Sequence, residues 1–179
     1  MGGIKVSFLV LCGVFSSLCE GQEAPGILWD PAHRLSWSDF KALPPADSQV
    51  AATTASGIAY SFSAMEEGRE MKVDWSVASY FYPESSWYRP ELANANILSH
   101  EQLHFDISEL FARRMREKIR GFRFTSEVKA EMRAIYNETI EEMREFQRRY
   151  DAETNYSRAE DKQREWNRMI AESLKITRD

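Results

Sequence analysis

The sequence predicts an α+β domain, a small and mainly antiparallel sheet followed by three helices. Residues 50–62 carry a two-residue period on their even positions, the signature of a strand with one face buried. Beyond Pro83 and Pro90 the apolar period becomes that of a helix. Gly121 and a polar stretch at 151–156 then divide this second half into three.

Residues 1–21 read as a secretory signal peptide. Lys5 gives the positive start, residues 6–14 an apolar run too short to span a bilayer, and Cys19-Glu20-Gly21 the exit. The expected location is secreted or periplasmic. A lipoprotein anchor through Cys19 ranks second, because Leu18 stands where a small residue is expected. Both cysteines, Cys12 and Cys19, fall in this leader, so a chain cut after Gly21 has neither thiol nor disulfide and relies on core packing and on any bound metal.

Residues 22–179 are the size of a single domain. The net charge of -5 and pI near 5.4 argue against a nucleic-acid partner. The arginines of the second half alternate with glutamates as on solvated helix faces, and no basic stripe interleaves with aromatics. No second long apolar run follows the leader, so no membrane span is expected in the mature chain.

Within the domain, Ile27-Leu28-Trp29 and Leu35-Ser36-Trp37 are short apolar runs broken by Asp30-Pro31, and Pro44-Pro45 marks a loop. Val50, Ala52, Thr54, Ser56, Ile58, Tyr60 and Phe62 share one strand face; Glu66-Glu67-Gly68 makes a turn, and Met71, Val73, Trp75 and Val77 repeat the alternation. An edge of this sheet could pair with an extended peptide, although an ordinary core sheet explains the pattern equally well. The first helix is expected over 92–120, with Arg116, Lys118 and Arg120 in its last turns and Gly121 as its stop. The second begins at Thr125 or Ser126, carries the stripe Val128, Met132, Ile135, Thr139, Met143 and Phe146, and ends near Tyr150. The third runs over 158–174 and docks through Trp166, Met169, Ile170 and Leu174.

The first helix carries His100-Glu101-Gln102-Leu103-His104. A four-residue helical step puts both imidazoles on one face, able to meet a single ion, with a carboxylate beside them to take a proton from water. Such a motif also arises by chance on solvated helices. Here the chain has only three histidines, two at ligand spacing, and the same face continues through Ile107 and Phe111 into the core. His100 and His104 are therefore the expected zinc ligands, and Glu101 the general base of a peptidase acting on a peptide or protein substrate. Glu142, at a buried phase of the second helix, is expected to need a partner: a metal, a ligand imidazole, or an arginine of the first helix. Arg113 and Arg89 are candidates to pair with substrate or with Glu109.

Three stretches carry a family resemblance: Ser85-Ser86-Trp87; Ile97-Leu98-Ser99-His100-Glu101-Gln102-Leu103-His104-Phe105-Asp106-Ile107-Ser108-Glu109; and Tyr150-Asp151-Ala152-Glu153-Thr154-Asn155 with Lys162-Gln163 and Trp166. Together with Leu35-Ser36-Trp37-Ser38-Asp39-Phe40, they make the chain resemble the DUF922 family. The resemblance implies a secreted bacterial zinc-dependent peptidase with a zincin-like H-E-x-x-H helix, in which His100 and His104 are ligands and Glu101 is the acid/base. In such proteins a His-Gly pair follows the Tyr-Asp-x-x-Thr segment and offers a natural third ligand; here Tyr156 and Ser157 occupy those positions. A catalytic zinc site usually has three protein ligands. Tyr156 as phenolate is the expected third, with Glu142 and Glu138 as alternatives and distant His33 last. The missing histidine also keeps open a second reading, a catalytically silent zinc-binding or envelope-interaction module descended from a peptidase.

Overall fold

The computed structural model describes residues 26–48, 50–68 and 70–177, together with the backbone of one strand, Val6–Val10 (β1). Apart from that strand, the leader expected over residues 1–21 lies outside the described residues. The strands that follow are Ile27–Leu28 (β2), Ala52–Thr53 (β3), Ser56–Glu67 (β4), Glu70–Phe81 (β5) and Trp87–Tyr88 (β6). Four of them form an antiparallel sheet in the order β1-β4-β5-β2, while β3 and β6 pair separately. Three helices complete the chain: Ala95–Gly121 (α1), Val128–Thr154 (α2) and Glu160–Ile176 (α3). The expected α+β architecture is the one observed.

The hairpin of β4 and β5 turns after Glu67, at Gly68. Gly68 has φ 67° there, the positive value that the first position of a primed two-residue turn demands and that glycine adopts without a Cβ clash. Ile58, Tyr60, Phe62 and Val77 point inward as their period predicts. The run over 50–62 is not one strand, however. At the break, Thr54 Oγ1 donates to the Glu101 carbonyl at 3.2 Å and the Ala55 N–H to Ser86 Oγ at 2.9 Å. Side-chain partners thus replace the ladder, and β3 leaves to join the second sheet.

Helix α1 is the spine. It starts later than residue 92 because Pro90–Leu92 forms a short 3-10 turn and Asn94 caps the helix, its Oδ1 accepting the Ile97 N–H at 2.9 Å. The sheet packs on one side of it, α2 and α3 on others, so Ile107, Ala112 and Met115 have no exposed surface. Burying each of the large side chains contributes about 1.5–3 kcal/mol. The N-terminal segment is clamped to the same helix by polar groups. Asp106 accepts Trp29 Nε1–H at 2.9 Å, Arg34 Nη1–H at 3.1 Å and Gln102 Nε2–H at 2.9 Å, and Gln102 Oε1 accepts the Leu35 N–H at 2.7 Å. The short apolar run at 35–37 leads into a 3-10 turn, Trp37–Asp39, closed by the Asp39 carboxylate on the Ser36 N–H.

Helix α2 runs one turn past its expected end at Tyr150. Its buried stripe continues through Tyr150 to Thr154, whose hydroxyl folds back to the Tyr150 carbonyl at 2.8 Å. The stop is a run of three left-handed residues, Asn155, Tyr156 and Ser157, at φ 46°, 52° and 72°. Asparagine tolerates this region; Tyr156 and Ser157 hold it at a cost of about 1–3 kcal/mol each. Asn96 Nδ2 donates to the Ser157 carbonyl at 2.5 Å and so pins the turn to the first turn of α1. Among the described residues, no helix is long and apolar enough to cross a membrane.

Candidate metal centre

His100 and His104 lie one turn apart on α1 with their rings nearly perpendicular, at 84°, and their Nε2 atoms 3.3 Å apart. The extra turn of α2 brings Asp151 to both. Its Oδ1 lies 3.2 Å from His100 Nε2 and 3.1 Å from His104 Nε2. The three ligand atoms form a nearly equilateral triangle, and His100, His104 and Asp151 make a group that can hold a metal ion.

The surroundings hold these side chains in place. The His100 ring stacks on Tyr150 at 4.6 Å between centroids, and the Tyr150 hydroxyl donates to the His100 carbonyl at 3.2 Å. His100 Nδ1 faces Gln163 Oε1 at 3.0 Å. Burial is the largest single influence on both His104 and Asp151, and their mutual contact overrides it in each. For Asp151, desolvation favours the neutral acid, but hydrogen bonds from His100 and His104 and their charges hold the carboxyl well below the usual carboxylate range. For His104, desolvation favours the neutral ring, but the Asp151 bond, the Glu101 charge and Gln147 raise its pKa above the ordinary 6.5.

Glu101 follows His100 on α1 and is only 5% exposed. Nothing among the described residues hydrogen-bonds its carboxylate, whose oxygens are not sealed from solvent. Its charge acts on both His104 and Tyr150. A buried carboxylate usually has a partner. This one stands open beside the imidazole pair.

The other expected ligands are elsewhere. Tyr156 is 62% exposed in the left-handed turn, and its polar tie to the centre is through the backbone, its N–H donating to the Asp151 carbonyl at 2.9 Å. Asp151, not Tyr156, takes the third corner, because α2 continues as helix through 151 and carries that side chain inward. Glu142 and Glu138 both pair with Lys118 of α1, at 2.9 and 3.2 Å, on the exposed flank of α2. Glu142 is therefore off the buried stripe, which passes through Thr139 and Met143 on either side of it. His33 is exposed in a turn. Arg113 and Arg116 both bond Glu109, at 2.8 and 3.0 Å, and Arg113 also donates to the Leu174 carbonyl at 2.6 Å, so this cluster joins α1 to α3. Arg89 holds the Pro45 and Ser48 carbonyls.

The profile of a family described as "Bacterial protein of unknown function (DUF922)" matches residues 47–158, more than half of the chain. The chain belongs to the DUF922 family. The DUF922 match takes in the whole triad and Glu101, and ends before α3. No curated protein and no solved structure matches this DUF922 chain.

Asp151 is the member of the candidate site that the sequence reading passed over. The available signal was the stripe Thr139, Met143, Tyr150, Thr154, which carries the helix beyond 150 and puts Asp151 one turn after Gln147, beside the histidine face.

Proposed function

We propose that this DUF922 protein is an exported zinc-dependent peptidase, with His100, His104 and Asp151 as metal ligands and Glu101 as general base. The observation that carries the reading is Glu101: a buried carboxylate without a hydrogen-bond partner among the described residues, next in sequence to one proposed ligand and electrostatically coupled to another. The donor set supports zinc. Two imidazoles and a carboxylate are its usual ligands in catalytic sites, and tetrahedral coordination at about 2.0–2.1 Å separates ligand atoms by about 3.3 Å. The triangle here has sides of 3.1, 3.2 and 3.3 Å. Export rests on residues 1–21 as a leader.

Zinc bound there supplies a Lewis acid that polarises a peptide carbonyl and makes water acidic enough to lose a proton near neutral pH. Glu101 accepts that proton on its free carboxylate and delivers it to the leaving amine, general-base then general-acid work by one group. Asp151 would bring a negative charge to the site beside two neutral imidazoles. Tyr150, stacked on His100 and bonded to its carbonyl, fixes the ring that α1 presents.

The silent-module alternative rested on the absence of a third ligand at Tyr156. With Asp151 available, no feature of the centre favours it. Digestion of a broad peptide library by the zinc-loaded protein tests the reading, with Glu101→Gln alongside. Cleavage that falls by at least about 10²–10⁴-fold in the variant, with zinc retained, supports Glu101 as the base. Equal cleavage by both removes it from that role, and no cleavage by either returns the silent module.

A further inference from the structure

Gln163 on α3 is 1% exposed, lies outside the family match and has no part in the chemistry above. Its amide is nevertheless fully committed. Nε2 has two hydrogens and two acceptors, Tyr150 Oη at 2.7 Å and Asn167 Oδ1 at 2.9 Å. Asn167 is oriented in turn, since its Nδ2 donates to Ser99 Oγ at 2.8 Å. The Tyr150 hydroxyl can accept from Gln163 Nε2 while its own hydrogen faces two acceptors, Gln163 Oε1 at 2.9 Å and the His100 carbonyl at 3.2 Å; Oε1 has two lone pairs and keeps one for His100. With both hydrogens used, the amide turns Oε1 toward His100 Nδ1 at 3.0 Å. An oxygen without hydrogen at that distance requires the proton of a neutral His100 on Nδ1.

We propose that Gln163 is a positioning residue for His100: it holds the ring proton on Nδ1 and so keeps the Nε2 lone pair directed at the His104 and Asp151 corner. Chain order makes this useful. His100, His104 and Asp151 all come from the matched segment, whereas Gln163 and Asn167, which set the amide against the His100 ring, come from α3 beyond it. Docking of α3 thereby completes the centre without supplying a ligand. The left-handed turn at 155–157, tied to α1 by Asn96, sets α3 where Gln163 meets the ring. Outer partners of ligand imidazoles set tautomer and basicity in this way, and their loss typically costs about 10–100-fold in metal affinity.

This inference rests on the zinc reading, and the test separates the two. Zinc affinity is measured by chelator competition on the full chain and on Gln163→Leu and Gln163→Glu, and the ring nitrogens of His100 are read by ¹⁵N NMR in the zinc-loaded wild type. The expected results are a proton on Nδ1, protected from exchange, in the wild type; affinity about 10–100-fold weaker in Gln163→Leu; and affinity restored in Gln163→Glu, which keeps an acceptor but not the amide. A purely structural role would not be rescued by placing a charge in the core. Zinc bound through Nδ1, unchanged affinity in Gln163→Leu, or a Gln163→Glu variant as weak as Gln163→Leu overturns the inference and leaves the zinc reading standing. If Gln163→Leu does not fold, the wild-type ring spectrum decides. No zinc uptake by the wild type overturns both.

Discussion

Asp151 Oδ1 lies 3.1 Å from His104 Nε2, joining the last turn of α2 to the middle of α1. The contact serves two states. Without metal, the Asp151 carboxylate favours the protonated His104 ring; in the proposed zinc-bound form both would be ligands and the proton would leave. The pH dependence of the two forms should therefore run in opposite directions.

For the metal-free protein, the sign follows from the two shifts. His104 has a folded pKa above its unfolded 6.5, so its stabilising contribution is full below about pH 6.5 and is lost as pH rises through the raised value. Asp151 has a folded pKa below its unfolded 3.8, so its contribution is full above about pH 4 and is lost as pH falls through the depressed value. In chelator, Tm should be higher at pH 5.5 than at pH 8.5, with that difference reduced in His104→Ala. Zinc affinity should rise over the same interval, because ligands must be deprotonated. A His104→Ala variant with the same pH profile as the wild type would remove the ion pair from this account.

Tyr156→Phe should leave zinc affinity unchanged in chelator competition, as should Glu142→Gln and Glu138→Gln. The Tyr156 side chain is turned to solvent, and the two glutamates are occupied by Lys118. Nor should Tyr156→His tighten binding, since the side chain at 156 starts from an exposed left-handed turn. Weaker zinc binding by any one of these variants would reopen the third corner.

Glu109 is 4% exposed and bonded to both Arg113 and Arg116. Glu109→Ala removes the shared carboxylate from two largely buried guanidinium groups, which keep their carbonyl partners but lose their counter-charge, and breaking such a cluster from one side costs about 3–5 kcal/mol. Urea unfolding should show a loss of that order with the zinc stoichiometry of the folded fraction intact. A loss close to zero would mean the arginines find water or other partners when Glu109 is gone.

The sequence made the centre half visible. The four-residue step from His100 to His104 reports directly on ligand geometry, since only a helix is needed to bring the two rings together. The inward stripe through Ile107 and Phe111 added the burial. The hairpin was equally plain from its alternation and from Gly68. Asp151 was hidden because no glycine or proline marks the end of α2. The helix stops instead at three left-handed residues, of which only Asn155 is of a type that announces such a conformation. Ending the helix at Tyr150 put Asp151 in a loop and made Tyr156 the natural substitute for a missing histidine. Gln163 was hidden for another reason. A neutral amide on a helix carries no mark of its function until its partners are placed, although its phase with Trp166 and Ile170 does mark it as buried.

The most direct test of the account is the zinc content of the purified chain and its Asp151→Asn variant, by mass spectrometry after exhaustive dialysis, with circular dichroism to confirm folding. The account predicts close to one zinc per wild-type chain and a marked loss in Asp151→Asn, which keeps the size and hydrogen-bonding shape of the side chain but removes its charge. Full zinc in folded Asp151→Asn, or none in the wild type, would contradict it.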